Sequence, residues 1–110
     1  MRHIAVEGRC FVLAACQYAR RADYPADWGT PFGDEPEAAL IRGGSLVVDP
    51  FGEVLAGPTY DEDTIVRAEL DLEQITRGKY DLDAAGHYAR PDVFRLEVDE
   101  TPQGLSLIHI

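Results

Sequence analysis

The stretch CFVLAAC, residues 10–16, says most about the fold of this chain. All seven of its residues are apolar, which favours a strand buried on both faces, as in the inner sheets of layered α/β folds. Such a strand needs a covering layer on each side of its sheet. Residues 1–9, which predict the last turns of a helix, supply at most one of these layers. The sequence therefore predicts an α/β fold that this chain completes only in part.

Two more segments continue the predicted sheet. Residues 43–56 predict a β-hairpin, because Asp49, Pro50 and Gly52 occupy the i, i+1 and i+3 positions that a type I turn favours. Residues 64–70 alternate between apolar and polar side chains, which is typical of a half-buried strand.

The next segment predicts a short helix followed by extended chain. Asp71 and Gln74 have the spacing of a capping box at the start of a helix, and Gly78 suits its end. Residues 93–98 alternate again and predict a final strand. Residues 104–110 end the chain on an apolar run, which we interpret as a non-native end.

Residues 20–39 form a long irregular segment rich in proline and glycine. A structureless loop of this length inside a compact domain tends to be functional, or to be a contact surface. Its aromatic side chains, Tyr24, Trp28 and Phe32, are candidates for such contacts. A flexible surface insertion is the alternative interpretation.

The composition excludes several classes of function. Among the 110 residues, 20 are acidic and 10 are basic, giving a formal net charge of −10. This charge argues against binding to nucleic acid or to an anionic membrane surface. No apolar run reaches the roughly 18 residues needed to span a bilayer. Two cysteines do not make a secreted disulfide framework, so we expect a cytoplasmic protein.

The chain carries no complete catalytic set that its spacing reveals. The two cysteines, Cys10 and Cys16, share one face of the predicted strand, and we expect them to be buried and structural. The histidines have no zinc-binding spacing, and no phosphate-binding glycine motif is present. The sequence therefore predicts neither a metal nor a cofactor.

The segment YDLDAAGHYAR, residues 80–90, is the strongest candidate site. It brings the titratable His87 together with carboxylates and with Tyr88 and Arg90. Such a cluster fits a functional site or an interface. A surface tail held by salt bridges explains the same residues, so both interpretations stay open.

Residues 1–98 resemble the C-terminal third of a nitrilase, in the carbon–nitrogen hydrolase superfamily. Four stretches carry the resemblance, and they follow one another in the family's order: HIAVEGRCFVLAACQY at 3–18, IRGGSLVVDPFGEVLAGP at 41–58, AELDLEQITRGKYDLD at 68–83 and GHYARPDVFRL at 86–96. The last of them is similar to nitrilases rather than to amidases. The resemblance implies the C-terminal part of an α-β-β-α sandwich, the carbon–nitrogen hydrolase fold, here incomplete.

The resemblance also implies an activity and a set of partners. Nitrilases hydrolyse a nitrile to a carboxylic acid and ammonia through a cysteine thioimidate, using a glutamate base and a lysine, with no cofactor. None of these three catalytic residues maps onto this chain, because neither cysteine stands in the family's Cys-Trp-Glu context and Lys79 lies outside the lysine motif. The implied partners are a small nitrile substrate and further copies of the same protein, with no nucleic acid and no membrane.

The resemblance assigns supporting positions instead of catalytic ones. His87, Tyr88 and Arg90 match a tail segment that lies near a subunit interface and the active site in relatives. The aromatic loop of residues 20–39 matches an insertion that joins subunits in nitrilase assemblies. We expect residues 1–72 to belong to the hydrolase domain, residues 73–103 to form a tail and extension, and residues 104–110 to be the non-native end.

The expected function is therefore that of a fragment of a nitrilase, inactive by itself. A non-catalytic module that pairs with full-length nitrilase subunits is the alternative. Within the enzyme class, a cyanide-degrading enzyme or an amidase relative also fits the chain.

Overall fold

The computed structural model of the chain describes residues 1–29, 31 and 33–101. These residues form helices and one sheet of four antiparallel strands, an incomplete α/β fold as predicted. The elements in chain order are helix α1 (Arg2–Gly8), strands β1 (Val12–Ala14) and β2 (Tyr18–Arg20), a 3-10 helix (Arg21–Asp23), strands β3 (Ala39–Val48) and β4 (Val54–Tyr60), and helix α2 (Glu73–Asp81). Neither α-helix of the described residues has the length and apolarity needed to cross a bilayer.

Strand β3 organises the sheet. β2 pairs with its first half, and β1 pairs with its second half through Val12↔Val48 and Ala14↔Leu46. β4 pairs with β3 over the same second half, through Val47↔Ala56. Because β1 and β4 share partners on β3, they lie on its opposite edges. β3 is therefore the central strand of the sheet, since it pairs with the three other strands.

The prediction of a strand buried on both faces over residues 10–16 is wrong. Only Val12–Ala14 joins the sheet, and the side chain of Leu13 is 65% exposed. Among the described residues, β1 has one neighbouring strand and little covers its faces. Continuous apolarity thus marked a segment suited to burial, but the described chain does not supply the covering layers.

The predicted hairpin is confirmed by the pairing of β3 with β4. At its turn, the Gly52 N–H donates to the Asp49 carbonyl over 3.0 Å. The buried Asp49 carboxylate accepts hydrogen bonds from the backbone N–H groups of Phe51 and Glu53, at 2.9 and 2.8 Å. The local chemistry of Asp, Pro and Gly therefore suffices to build this turn.

We expect Asp49→Ala to loosen the turn without unfolding the sheet. The substitution removes two hydrogen bonds to a charged, buried acceptor, which costs about 1–2 kcal/mol locally. Hydrogen exchange of the Phe51 and Glu53 amides should then be about tenfold faster. Glu53→Ala, which truncates an exposed side chain beside the same turn, is the control and should leave these amides protected.

The strands predicted at residues 64–70 and 93–98 are absent from the described structure. Both segments run as irregular chain, and none of their backbone joins the sheet. Alternation of apolar and polar residues reports that one face suits burial, but a strand also needs a neighbour to complete its hydrogen bonds. No such neighbour is present among the described residues.

Helix α2 is confirmed, but its predicted end at Gly78 is wrong. The Asp71 carboxylate accepts a hydrogen bond from the Glu73 N–H over 3.0 Å at the start of the helix. The reciprocal bond of a capping box is missing, since the Gln74 side-chain oxygen is buried without a described partner. The helix continues through Gly78 to Asp81, because Gly78 is buried against a neighbouring side chain instead of ending the helix.

The apolar core of the described residues is small. Its buried hydrophobic members are Ala5, Ala19, Val47 and Val48. The radius of gyration is 20.1 Å, against about 13 Å for a compact domain of this size. The described residues therefore do not close around a core of their own.

Helix α1 packs on the hairpin turn. The Arg2 Nε donates to the Gly52 carbonyl over 2.6 Å, and a Cβ at Gly52 would lie 2.7 Å from Val6 Cγ2. Gly52 also has a φ of +87°, so two independent constraints call for glycine here. The close contact fixes the helix against the end of the hairpin.

Candidate functional site

The tail candidates His87, Tyr88 and Arg90 lie together in a turn after helix α2. The Tyr88 N–H donates to the Asp83 carbonyl over 3.0 Å, and the rings of His87 and Tyr88 meet edge to face with centroids 5.1 Å apart. All three side chains are exposed. The structure thus groups these residues on the surface of the described chain.

The charges of this tail cluster are paired with neighbours in sequence. Arg90 Nε and Nη2 donate to the two carboxylate oxygens of Asp92, at 2.7 and 2.6 Å. These hydrogen bonds hold the pKa of the Asp92 carboxyl below its ordinary value and raise the pKa of Arg90. Within the described chain, His87 makes no ion pair with a carboxylate. The charges of Arg90 and Asp92 are therefore paired with each other at the surface.

Two of the aromatic loop candidates come together in the structure. The ring centroids of Tyr24 and Trp28 are 6.0 Å apart, and the Trp28 side chain is 58% exposed. Phe32, the third candidate, lies outside the described residues. An exposed tryptophan held beside a tyrosine is the kind of group that anchors protein contacts.

Arg21 holds this aromatic loop, and sequence reasoning missed it. The residue is only 6% exposed. Its Nη1 donates to the carbonyls of Tyr24 and Pro25 at 3.2 and 3.0 Å, and its Nη2 donates to those of Ala26 and Trp28, both at 3.0 Å. One guanidinium thus satisfies four backbone acceptors of a segment that forms no regular structure.

The base of the same loop is closed by backbone bonds. The Arg21 N–H donates to the Ala38 carbonyl over 2.8 Å, and the Ala22 N–H donates to the Pro36 carbonyl over 3.0 Å. The Asp34 carboxylate lies 3.8 Å from Arg21 Nε and is almost fully exposed. The carbonyl dipoles therefore compensate most of the buried positive charge.

The neighbouring Arg20 makes a different set of contacts. Its guanidinium pairs with Glu37 at 3.0 Å and with Asp23 at 3.4 Å, all at the surface. A hydrogen bond from the Arg20 backbone N–H, assisted by the Arg20 side chain, lowers the pKa of Asp23. Arg20, Asp23, Tyr18 and Tyr24 line an open groove of about 600 Å³. Arg20 and Asp23 already pair with each other, and Asp63 adds a second carboxylate to the lining of this groove.

Arg9, at the end of α1, contacts both the hairpin turn and helix α2. Its Nη2 pairs with Asp81 of α2 at 2.9 Å, and its guanidinium lies 5.8 Å from the ring centroid of Phe51 in the hairpin turn. A Cβ on Gly78 would lie 3.2 Å from Arg9 Cδ, so the small residue makes room for this side chain. The only signal for Arg9 in the sequence is a charge directly before an apolar strand.

The cysteines do not share a buried face, so that expectation is wrong. Cys10 is partly buried, Cys16 is exposed, and both thiols are free. β1 ends at Ala14, which leaves Cys16 beyond the strand. There the Ser45 hydroxyl accepts from the Cys16 N–H over 2.9 Å and donates to the Cys16 carbonyl over 3.2 Å. Ser45 thus fixes the backbone of Cys16 against β3.

A family model, that of the carbon-nitrogen hydrolases, matches residues 1–80. The match covers well over half of the chain, including α1, the whole sheet and most of α2. The chain belongs to the carbon–nitrogen hydrolase family. The proposed boundary between residues 72 and 73 remains a prediction.

The individual relatives are nitrilases. The chain is 58% identical over 103 residues to an aliphatic nitrilase of Sinorhizobium fredii, which covers 94% of this chain and 33% of the relative. It is 56% identical to a nitrilase of Bradyrhizobium diazoefficiens, and that alignment covers 94% of this chain and 32% of the relative. It is 51% identical to an arylacetonitrilase of Trametes versicolor, and that alignment covers 93% of this chain and 32% of the relative. The chain is therefore nitrilase-like, and it spans about a third of the length of these curated relatives.

Proposed function

We propose that the chain is part of a nitrilase that hydrolyses a nitrile to a carboxylic acid and ammonia. The observation that carries this proposal is the identity of 51–58% to three nitrilases along nearly the whole chain. The fold supports it, because the sheet, α1 and α2 all lie within or overlap the match to the family. We include in this proposal the substrate class, the oligomeric state and the catalytic residues of the whole protein.

In the proposed reaction, a cysteine thiolate adds to the nitrile carbon and the nitrile nitrogen is protonated, giving a thioimidate. Water then adds to this carbon and ammonia leaves, which produces a thioester. A second water releases the carboxylic acid and regenerates the thiol. A glutamate moves the protons, and a lysine stabilises the charged intermediates.

We assign none of these catalytic residues to this chain. Cys10 and Cys16 are free thiols, but neither is followed by the Trp-Glu pair expected beside the nucleophile. Lys79, the one lysine of the sequence, is an exposed residue of helix α2. We therefore propose that the chain alone does not hydrolyse nitriles.

The contribution we propose for this chain is structural support and assembly. Arg9 ties α1, the hairpin turn and α2 together, so it holds the sheet in place for the rest of an enzyme. Tyr24 and Trp28, with Phe32 near them in sequence, are proposed as contacts between copies in a homo-oligomer. His87, Tyr88 and Arg90 are proposed as an interface or as support for the active site.

A chimaera tests the proposal directly. The 103 aligned residues of this chain replace the corresponding residues of the Sinorhizobium fredii aliphatic nitrilase. We expect the chimaera to release ammonia from an aliphatic nitrile within about tenfold of the parent rate, while this chain alone gives no more than the blank. A control chimaera with the nucleophile of the parent changed to alanine should also give none.

Other results would contradict the proposal. A folded chimaera of the parent's size that hydrolyses no nitrile would show that this chain does not support nitrilase chemistry. Sequencing the DNA upstream of Met1 separates the remaining alternatives. An in-frame segment with glutamate, lysine and Cys-Trp-Glu supports the nitrilase, whereas in-frame stop codons with a ribosome-binding site would favour an assembly module.

A further inference from the structure

Strands β1 and β2 lie end to end along β3 and share one register. Ala14 faces Leu46 and Tyr18 faces Arg42, so the same number of residues separates the two paired segments on either strand. Within the described residues, the backbone pairing with β3 is interrupted over this interval. Something other than the ordinary ladder of backbone hydrogen bonds therefore holds the two segments in register.

A β-bulge in β3 accompanies the interruption. Against β4, Gly43 faces Tyr60 and Ser45 faces Thr59, so Gly44 is one residue extra on β3. Gly43 and Gly44 have φ angles of +91° and +114°. Positive φ angles rotate the peptide groups out of the plane in which an extended strand bonds to its neighbour. The bulge thus leaves the facing residues of the interval between β1 and β2 without their usual backbone partners.

The hydroxyl of Ser45 takes the place of the missing backbone partners. It accepts a hydrogen bond from the Cys16 N–H over 2.9 Å and donates one to the Cys16 carbonyl over 3.2 Å. In an antiparallel ladder, these two groups of one residue bond to the C=O and N–H of a single opposing residue. A hydroxyl can replace both, since it donates and accepts. Ser45 therefore fixes the backbone at Cys16, and with it the place of the next residue, Gln17.

Gln17 lines the open groove of about 600 Å³ next to Tyr18 and Arg20. Its side chain is exposed, and its amide has no hydrogen-bond partner within the part of the chain that the structure describes. Arg20, in contrast, is already paired with Asp23 and Glu37. The Gln17 amide is thus an uncharged donor and acceptor that is open to a ligand in the groove.

We propose that the Gln17 amide binds the nitrile in this groove and that Ser45 is the positioning residue that holds Gln17 there. This inference rests on the proposed function. A nitrile nitrogen accepts hydrogen bonds and becomes more basic as a thiolate adds to the nitrile carbon. A hydrogen bond from Gln17 Nε2 therefore stabilises the transition state of the addition more than the bound nitrile. The bulge agrees with this role, because β-bulges are frequent beside active sites, where they redirect a side chain.

A double-mutant cycle in the nitrilase chimaera tests this assignment. We expect Gln17→Ala to lower kcat/KM about thirtyfold and Ser45→Ala to lower it about tenfold. The double variant should stay within about twofold of Gln17→Ala, because Ser45 acts through Gln17, whereas independent effects would multiply to roughly three-hundredfold. Gln17→Glu keeps the shape of the side chain but loses both amide hydrogens, so it should be as slow as Gln17→Ala.

Two further variants separate the hydroxyl of Ser45 from other properties of the sheet. Ser45→Thr keeps a hydroxyl, and a cavity of about 340 Å³ beside Ser45 leaves room for the added methyl group. We expect its kcat/KM to stay within about threefold of the unchanged chimaera. Thr59→Val is the matched control, because it removes the hydroxyl that faces Ser45 across the bulge and that bonds to none of the described residues. It should change kcat/KM less than about twofold.

Hydrogen exchange of the Cys16 amide gives a readout that does not depend on nitrile hydrolysis. Ser45→Ala should accelerate this exchange about tenfold, and Thr59→Val should leave it unchanged. An active chimaera in which Gln17→Ala leaves kcat/KM unchanged, or in which the two effects multiply, overturns this inference while the proposed function stands. The same holds if Ser45→Ala lowers the thermal unfolding temperature but not kcat/KM, since the role of Ser45 is then only structural. A folded chimaera that hydrolyses no nitrile overturns both proposals.

Discussion

We expect Arg21→Ala to release the aromatic loop of residues 20–39. The substitution should lower the free energy of local opening of this loop by about 3 kcal/mol. The substitution leaves four backbone carbonyls without their donor in a site where the arginine is almost fully buried. Hydrogen exchange of the Ala22, Tyr24 and Trp28 amides should become about a hundredfold faster. Trp28, the one tryptophan of the chain, reports the same change through its fluorescence quenching.

The neighbouring arginine supplies the matched control. Arg20→Ala removes a guanidinium of the same size, but its two carboxylate partners are exposed and screened by solvent. We expect this variant to change the exchange of the loop amides less than about threefold. Equal acceleration by the two variants would show that net charge, and not the carbonyl cage of Arg21, orders the loop. Arg21→Lys should lie between them, because one ammonium cannot reach four carbonyls at once.

Gly57→Val is expected to prevent the hairpin from closing. Gly57 has a φ of +79°, a conformation that β-branched residues rarely adopt. A Cβ at this position would overlap the Ser45 carbonyl oxygen of the adjacent strand and would lie 3.2 Å from Leu46 Cβ. Since the backbone atoms of a paired strand cannot move aside, the substitution should lower the free energy of unfolding by more than about 3 kcal/mol.

The nitrilase chimaera is the appropriate protein for this measurement. We expect Gly57→Val to lower its thermal unfolding temperature by roughly 5–10 °C, or to leave it insoluble with no nitrile hydrolysis. Gly29→Val is the control, because a Cβ there meets no atom of the described residues within 4 Å. A Gly57→Val chimaera that unfolds at the same temperature as the Gly29→Val chimaera would mean that the two strands do not approach each other this closely in the enzyme.

The sequence predicted well those secondary-structure elements that depend on residues close together in the chain. The hairpin follows from Asp49, Pro50 and Gly52, whose turn chemistry lies within a few residues of chain. Helix α1 and the start of α2 follow in the same way from nearby residues. The family could also be predicted, because four motifs in fixed order identify it without any knowledge of contacts.

Elements that depend on distant partners were predicted poorly. Residues 10–16 and 64–70 have patterns suited to sheets, but the patterns do not state which strand lies beside them. The end of α2 was misplaced because Gly78 is buried against Arg9, nearly seventy positions earlier in the sequence. A single glycine in a helical segment can therefore mark either the end of the helix or a close packing contact within it. Only the tertiary structure shows which of the two applies.

The candidate site shows the same division. The sequence located the tail of His87, Tyr88 and Arg90 and the aromatic pair Tyr24 and Trp28, and the structure places each group together on the surface. It gave no indication that Arg21 holds the loop, because arginine in an irregular segment is normally a solvated surface residue.

By itself, the sequence determined the hairpin turn, the helices near their starts and membership of the carbon–nitrogen hydrolase family. Each of these depends on residue types at short or fixed spacing. Only the tertiary structure decided that β3 is the central strand, that Arg21 binds four carbonyls and that Arg9 joins two helices to the hairpin. These features arise from long-range hydrogen bonds and contacts, whose partners become neighbours only when the chain folds.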